Sequence, residues 1–216
     1  MTGLTLTRPW LEFDLGGPMS VLSWAINRPG RVTARRILWR EVRNADLPAD
    51  LDVDAWLQGE LRARDALDAV TFLTSRHITC YHSATAQVGD VQAHAVATVG
   101  LSNAERVGQR IDRTGHDWGT INIALRLNIG LNEAAQLETL SMVVAARTAA
   151  VMDAKFDLPG GVATGTGTDC IAIAAPEGNT RYAGMHTPVG EATGRAVYDA
   201  VSAGASEWMT TVRRDL

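Results

Sequence analysis

Hydrophobic and polar positions change rhythm several times along the 216-residue chain, and each change predicts an element. Alternation over "WLEFDL" and "MSVLSWAI", separated by Gly16-Gly17-Pro18, predicts two strands joined by a turn. "RPGRVTARRILWREV" sets five arginines between Arg28 and Arg40 among Val32, Ile37, Leu38 and Trp39. That mixture predicts a strand with a solvated basic face, an anion site being the alternative. Residues 53–68 then take a helical period, with Trp56, Leu57, Leu61 and Leu67 near one face and Asp52 or Asp54 as cap. "AVTFLTS" and "HITCYHSATAQ" return to strand character. Val88-Gly89-Asp90 turns into "VQAHAVATVGL", which predicts a hairpin. "GTINIALRLN" is a further strand.

The second half adds long helices. From Asn132, "NEAAQLETLSMVVAARTAAVMDA" is apolar nearly all round and alanine-rich, which predicts deep burial and close backbone packing. "CIAIAA" reads as a short buried strand. "PVGEATGRAVYDAVSAGASEWM" reads as a closing helix with Thr187 as cap and Pro188 at its first position. The expected fold is therefore α/β, with α+β open. It is a single domain over residues 1–216, a mixed and largely antiparallel sheet packed by the helices of the C-terminal half.

Composition narrows the function. Hydrophobic content of 46% and charged content of 20% are ordinary for a soluble domain. A net charge of −4 supplies no positive field for nucleic acid or an anionic membrane. No apolar run reaches the roughly 20 residues that span a bilayer, and the N-terminus lacks a secretory layout. Cys80 and Cys170 lie far apart and read as reduced thiols, which points to the cytoplasm.

Chemistry concentrates in "GGVATGTGTDCIAIAAPEG", where Thr164, Thr166 and Thr168 alternate with Gly165 and Gly167 ahead of Asp169. A phosphate loop needs a lysine by its last glycine, or glycines between a strand and a helix. This stretch has neither. If extended, its three hydroxyls share one edge at roughly 7 Å per step, and the glycines open the backbone to a large ligand. The alternative is a tight turn whose hydroxyls bond the local backbone.

Three other segments carry candidates. "VATVGLSNAERVG" ends a strand at Gly100 and continues through Ser102 and Asn103, where sites are often built, although either polar residue also serves as a helix cap. Thr120 and Asn122 share one side of an otherwise aliphatic strand, where an amide must find partners or bind something. In "YAGMHTPVGEATG", His186 and Glu191 follow Gly184 and are candidate acid–base partners pointing into a cleft, or else helix-terminus residues. His77, His82 and His94 do not share a face suited to one metal ion, and His116 sits beside Asp117 in a loop. No metal motif or nucleophile elbow is found.

Taken together and in order, "VATVGLSNAERVG", "GTINIALRLN", "ATGTGTDCIAIA" and "YAGMHTPVGEATGRAVYDAV" resemble the adenosylcobinamide amidohydrolase family, over about residues 20–204. Family members often carry an acid and a lysine on the helix before GTGTD; here the stretch reads Ala145, Ala146 and Arg147, without the acid. The resemblance implies hydrolysis of the amide joining the aminopropanol arm to the corrin ring of adenosylcobinamide. The products would be adenosylcobyric acid and aminopropanol, in corrinoid salvage for coenzyme B12. The partner is then a corrinoid small molecule that brings its own cobalt, so no cofactor or metal of the protein's own is expected. Exposed strand edges are compatible with a homodimer.

On this reading water is activated by Asp169, His186 or Glu191, and His186 passes a proton to the leaving nitrogen. Asn103, Asn122 or the N–H groups of Gly165 and Gly167 hold the oxyanion. Thr164, Gly165, Thr166, Gly167, Thr168, Gly100, Ser102, Thr120 and Gly184 line the substrate. A covalent route through Thr166 would need a nearby base. A corrinoid carrier without hydrolysis, and an amidase of complete cobamides, are the rival readings.

Overall fold

Alternation decides the sheet. The computed structural model describes residues 3–48, 50–112 and 119–213. Strand β1 is Gly3–Thr7 and β2 is Trp10–Ser23, with Leu11, Phe13, Leu15 and Val21 directed to one core. β2 is one element, not the two strands and turn that Gly16-Gly17-Pro18 suggested. Its partner β3, Gly30–Glu41, is continuous, and residues 15–18 bulge out opposite Arg35 alone while the pairing resumes at Met19. At that bulge the other edge of β2 changes neighbour, from β1 to a strand of the C-terminal half.

Helix α1, Val53–Ala63, is capped by Asp52 and lies on the outer side of β2 and β3, burying Leu57 and Leu61 against Trp10 and Leu38. It ends five residues short of the expected limit, at a turn where Asp65 takes positive φ. The basic face of β3 is not fully solvated. Arg40 pairs with Glu60 of α1 and lies over Trp10 and Trp56, and Arg36 pairs with Glu12 and Asp68.

β4 is Val70–Thr74 and runs parallel to β3. A single 3-10 turn, Ile78–Cys80, replaces the start of the next expected strand, so β5 is Tyr81–Val88. It forms the expected hairpin with β6, Val91–Val99. A two-residue strand β7, Ala104–Glu105, precedes β8, Ile121–Leu127. Helix α2, Glu133–Asp153, is capped by Asn132. Three short strands follow: β9 at Asp157–Leu158, β10 at Gly161–Val162 and β11 at Gly165–Thr166. β12, Cys170–Ala175, and helix α3, Pro188–Thr211, close the chain; Thr187 caps α3 as expected.

The main sheet runs β4-β3-β2-β12-β8-β6-β5, with β1 beside β2. It is mixed, parallel at β3/β4 and β8/β12 and antiparallel elsewhere. α2 and α3 cover the outer face of β6, β8 and β12, and Leu137 and Met152 of α2 stay exposed, so α2 is not buried all round. The inner face curls strongly. Phe13 of β2 meets His94 of β6 edge to face at 4.8 Å, although β12 and β8 separate their strands in the sheet. One core is thus enclosed between an N-terminal wing (β2, β3, β4) and a C-terminal wing (β12, β8, β6), and a larger one lies between the C-terminal wing and α2 and α3.

Candidate active site

Where the two wings meet, at the start of β8 and β12 and the ends of β2 and β4, an open cavity of about 600 Å³ remains. Its apolar wall comes from the N-terminal wing: Trp24, Ile26, Val42 and Phe72. The polar wall comes from Thr120, Asn122, Gly167, Thr168 and Asp169. Arg43 is the cation lining it among the described residues. That size and mixture suit a small-molecule site.

Asp169 is its most heavily bonded group. Oδ1 accepts from the Thr166 hydroxyl and from the N–H groups of Thr166 at 3.2 Å and Ile121 at 3.3 Å. Oδ2 is in close contact with Nη1 of Arg147, reaching over from α2. Both side chains are largely buried, 9% and 14% exposed. Burial pushes the carboxyl up from its ordinary range; Arg147 and the Thr166 and Ile121 donors oppose that without cancelling it. A buried carboxylate with a fixed orientation beside a cavity suits proton transfer. The indole N–H of Trp24 donates to the Asp169 carbonyl at 3.0 Å, which fixes the ring at the rim while 45% of the residue stays exposed.

The three threonines do not present a row of free hydroxyls. Thr164 accepts from Val107 N–H at 2.8 Å, Thr166 donates to Asp169, and Thr168 donates to the Gly119 carbonyl at 2.9 Å. Only Gly165–Thr166 is strand, paired with Glu105 and Ala104, and the chain turns immediately after it. The turn with local hydroxyl bonding is therefore what forms, because β7 offers two residues of pairing and no more.

Asn122 is satisfied within the protein. Its Nδ2 donates to the Leu73 carbonyl at 2.8 Å, tying β8 to β4 across the floor of the cavity. Thr120 donates to the Thr168 carbonyl at 2.8 Å, with Asn122 Oδ1 at 3.2 Å. Asn103 lies behind the wall, 3% exposed, donating to Thr168; its Oδ1 is buried without a partner among the described residues. The Gly167 N–H is directed to the Asn103 carbonyl at 3.4 Å. Gly100 and Ser102 pack beside residues 119–120 without lining the cavity.

His186, Glu191 and Gly184 are not brought to this site. They sit beyond the far end of β12, where the Ala183 N–H donates to Glu138 near the start of α2. The six residues of β12 alone put about 20 Å between the two ends. His186 is exposed, and Glu191 is 55% exposed with Arg195 at 3.8 Å. The segment instead anchors α3. Thr187 accepts from Gly190 N–H at 3.0 Å, and a Cβ on Gly190 would collide with the Gly184 carbonyl. His116 and Asp117 lie outside the described residues.

Sequence reasoning missed Arg147 as a site residue and missed the whole apolar wall. A lone arginine inside an alanine-rich helix was the available signal for the first. Nothing in the pattern joined residues 24–26 and 42–47 to residues 167–170. Among the described residues, no three His, Cys, Asp or Glu side chains are placed to hold a metal ion. No described helix is long and apolar enough to cross a membrane.

Comparison with known proteins places the chain. Among solved structures, the PH0078 protein from Pyrococcus horikoshii OT3 is similar at 9% identity over 90% of this chain and 76% of that one. Its TM-score of 0.46 is too low to carry an argument. No curated relative matches the sequence. The adenosylcobinamide amidohydrolase profile, however, matches residues 2–212, which takes in both wings, the cavity and all three helices. The chain belongs to the adenosylcobinamide amidohydrolase family.

Proposed function

We propose that the protein hydrolyses the amide joining the aminopropanol arm to the corrin ring of adenosylcobinamide. The products are adenosylcobyric acid and aminopropanol, which would return incomplete corrinoids to coenzyme B12 synthesis. Family membership supports the reaction class. The observation that carries the residue assignment is the oriented carboxylate of Asp169 on the polar wall of the cavity. Free Cys80 and Cys170 fit a cytoplasmic setting.

In this reading the arm enters the cavity and the macrocycle rests on the exposed faces of Trp24 and Ile26, each 45% exposed. Cobalt enters as part of the substrate. Asp169 takes a proton from water as the water oxygen bonds to the amide carbon. Arg43 stabilises the oxyanion. The carbon–nitrogen bond then breaks, and Asp169 returns the proton to the departing amine.

One observation favours a second route. Thr166 already donates to Asp169, the base that a covalent threonine pathway requires. Attack by Thr166 Oγ1 on the amide carbon, with its proton passing through Asp169 to the nitrogen, would break the carbon–nitrogen bond, release aminopropanol and leave an ester that water then cleaves. Mass spectrometry of trapped enzyme, with turnover in ¹⁸O water, separates the two routes.

The first test is incubation with adenosylcobinamide and mass spectrometry of the corrinoid, for the natural chain and Asp169→Asn. Adenosylcobyric acid from the natural chain and a loss of about 10²–10⁴-fold in the variant are expected. Tight binding without product would mean a corrinoid carrier instead, and full activity in Asp169→Asn would remove Asp169 from the chemistry.

A further inference from the structure

We propose that Arg147 is a positioning residue for the reaction: from α2 its guanidinium holds the Asp169 carboxyl group in place at the cavity wall, and Gly165 is side-chain-free to seat it. The inference rests on Asp169 being the base.

Three observations carry it. First, the guanidinium is buried on a helix stretch whose other members, from Val143 to Met152, are apolar or Thr148. Burying a cation there is costly unless a specific anion compensates. The compensating anion is Asp169, with the Thr164 carbonyl at 3.2 Å as a second acceptor. Second, Gly165 leaves the space the guanidinium fills; a Cβ there would overlap Nη1 of Arg147 and come within 2.8 Å of Asp169 Oδ2. Third, the carboxylate is held from two directions. Arg147 approaches Oδ2 from α2, while the Thr166 hydroxyl and the Ile121 N–H bond Oδ1 and the Thr166 N–H lies between the two oxygens, at 3.2 Å and 3.3 Å.

Other groups near Asp169 do not replace that charge. Glu105, on β7, accepts from the Ile111 N–H. The Cys170 thiol is pushed up to about 12, mainly by burial, and is neutral. Arg43 lines the cavity but forms no ion pair with Asp169. Arg147 is the cation in contact. It does not itself line the cavity. It therefore acts through Asp169 and not on the substrate.

A purely structural ion pair, bolting α2 to the 163–169 turn, would give the same contacts. The pH profile separates the two. Without the cation, burial is opposed only by the Thr166 and Ile121 donors and Asp169 holds its proton to higher pH, so the base is lost under mildly acidic conditions and regained as pH rises. For Arg147→Met, kcat/KM for adenosylcobinamide should fall by about 10- to 1000-fold at mildly acidic pH. The deficit should shrink toward alkaline pH, with KM little changed. Arg147→Lys should restore much of the low-pH activity. Should Arg147→Met fail to fold, Arg147→Gln, neutral but able to bond the Thr164 carbonyl, serves the same measurement. A loss equal at every pH and tracking a lowered Tm would overturn the proposal and leave Asp169 standing. Natural activity in Asp169→Asn would remove both.

Discussion

Gly165 and Arg147 occupy one space: the absent Cβ of the first is where the guanidinium of the second lies. The first glycine of the GTGTD stretch is thus explained by a side chain on a helix 18 residues upstream, and not by a ligand. Gly165→Ala should move both Arg147 and Asp169. Overpacking of this kind costs about 1–3 kcal/mol. We expect a lower Tm by thermal unfolding and hydrolysis reduced well beyond what that loss of folded protein explains. An alanine variant with natural activity would show that the carboxylate tolerates displacement.

Asn122 clamps the two wings through the Leu73 carbonyl. Asn122→Leu leaves that carbonyl without its partner beside the cavity and should cost about 1–3 kcal/mol in urea unfolding. Stability equal to the natural chain would mean that water substitutes for the amide.

His186 and Glu191 stand at the opposite end of β12 from Asp169. His186→Ala and Glu191→Gln should therefore keep hydrolysis within about twofold, in contrast to the 10²–10⁴-fold cost of removing an acid–base group. A loss of that larger size in His186→Ala would mean that a second copy of the chain delivers this histidine to the cavity, and sedimentation of the active species would then show a homo-oligomer.

His94, packed edge-on against Phe13 and bonded to Ser83, has its pKa lowered from 6.5 by burial and by Arg126 on the neighbouring strand. The unfolded chain therefore takes up this proton first as pH falls. Stability should be flat above about pH 7 and drop as pH falls through 6.5, the loss levelling off below the folded value. His94→Gln should remove that component from the stability–pH curve measured by denaturant unfolding.

What the sequence reveals depends on how local the cause is. Asn132 and Thr187 each cap a helix with a bond three residues away, and both caps are readable from composition alone. The β5/β6 hairpin is equally local. β2 is misread because its continuity depends on β3, which carries the pairing past Gly16-Gly17-Pro18. The site divides the same way. Asp169 stands out beside its own glycines, whereas Trp24 joins it only because β2 and β12 pair, 145 residues apart in sequence. The stretch "YAGMHTPVGEATG" shows the reverse hazard: its Gly190 has a local mechanical use, letting α3 dock onto its own entry turn.

The cavity has one wall from the beginning of the chain and one from the end, joined by the β2/β12 pairing and the Asn122–Leu73 bond. Neither half contains a site. Loop-closure entropy makes such distant pairings slow to form during folding. Catalytic competence is therefore expected late in refolding: helical signal from α2 and α3 should return first, and turnover only when the two ends of the polypeptide have found each other.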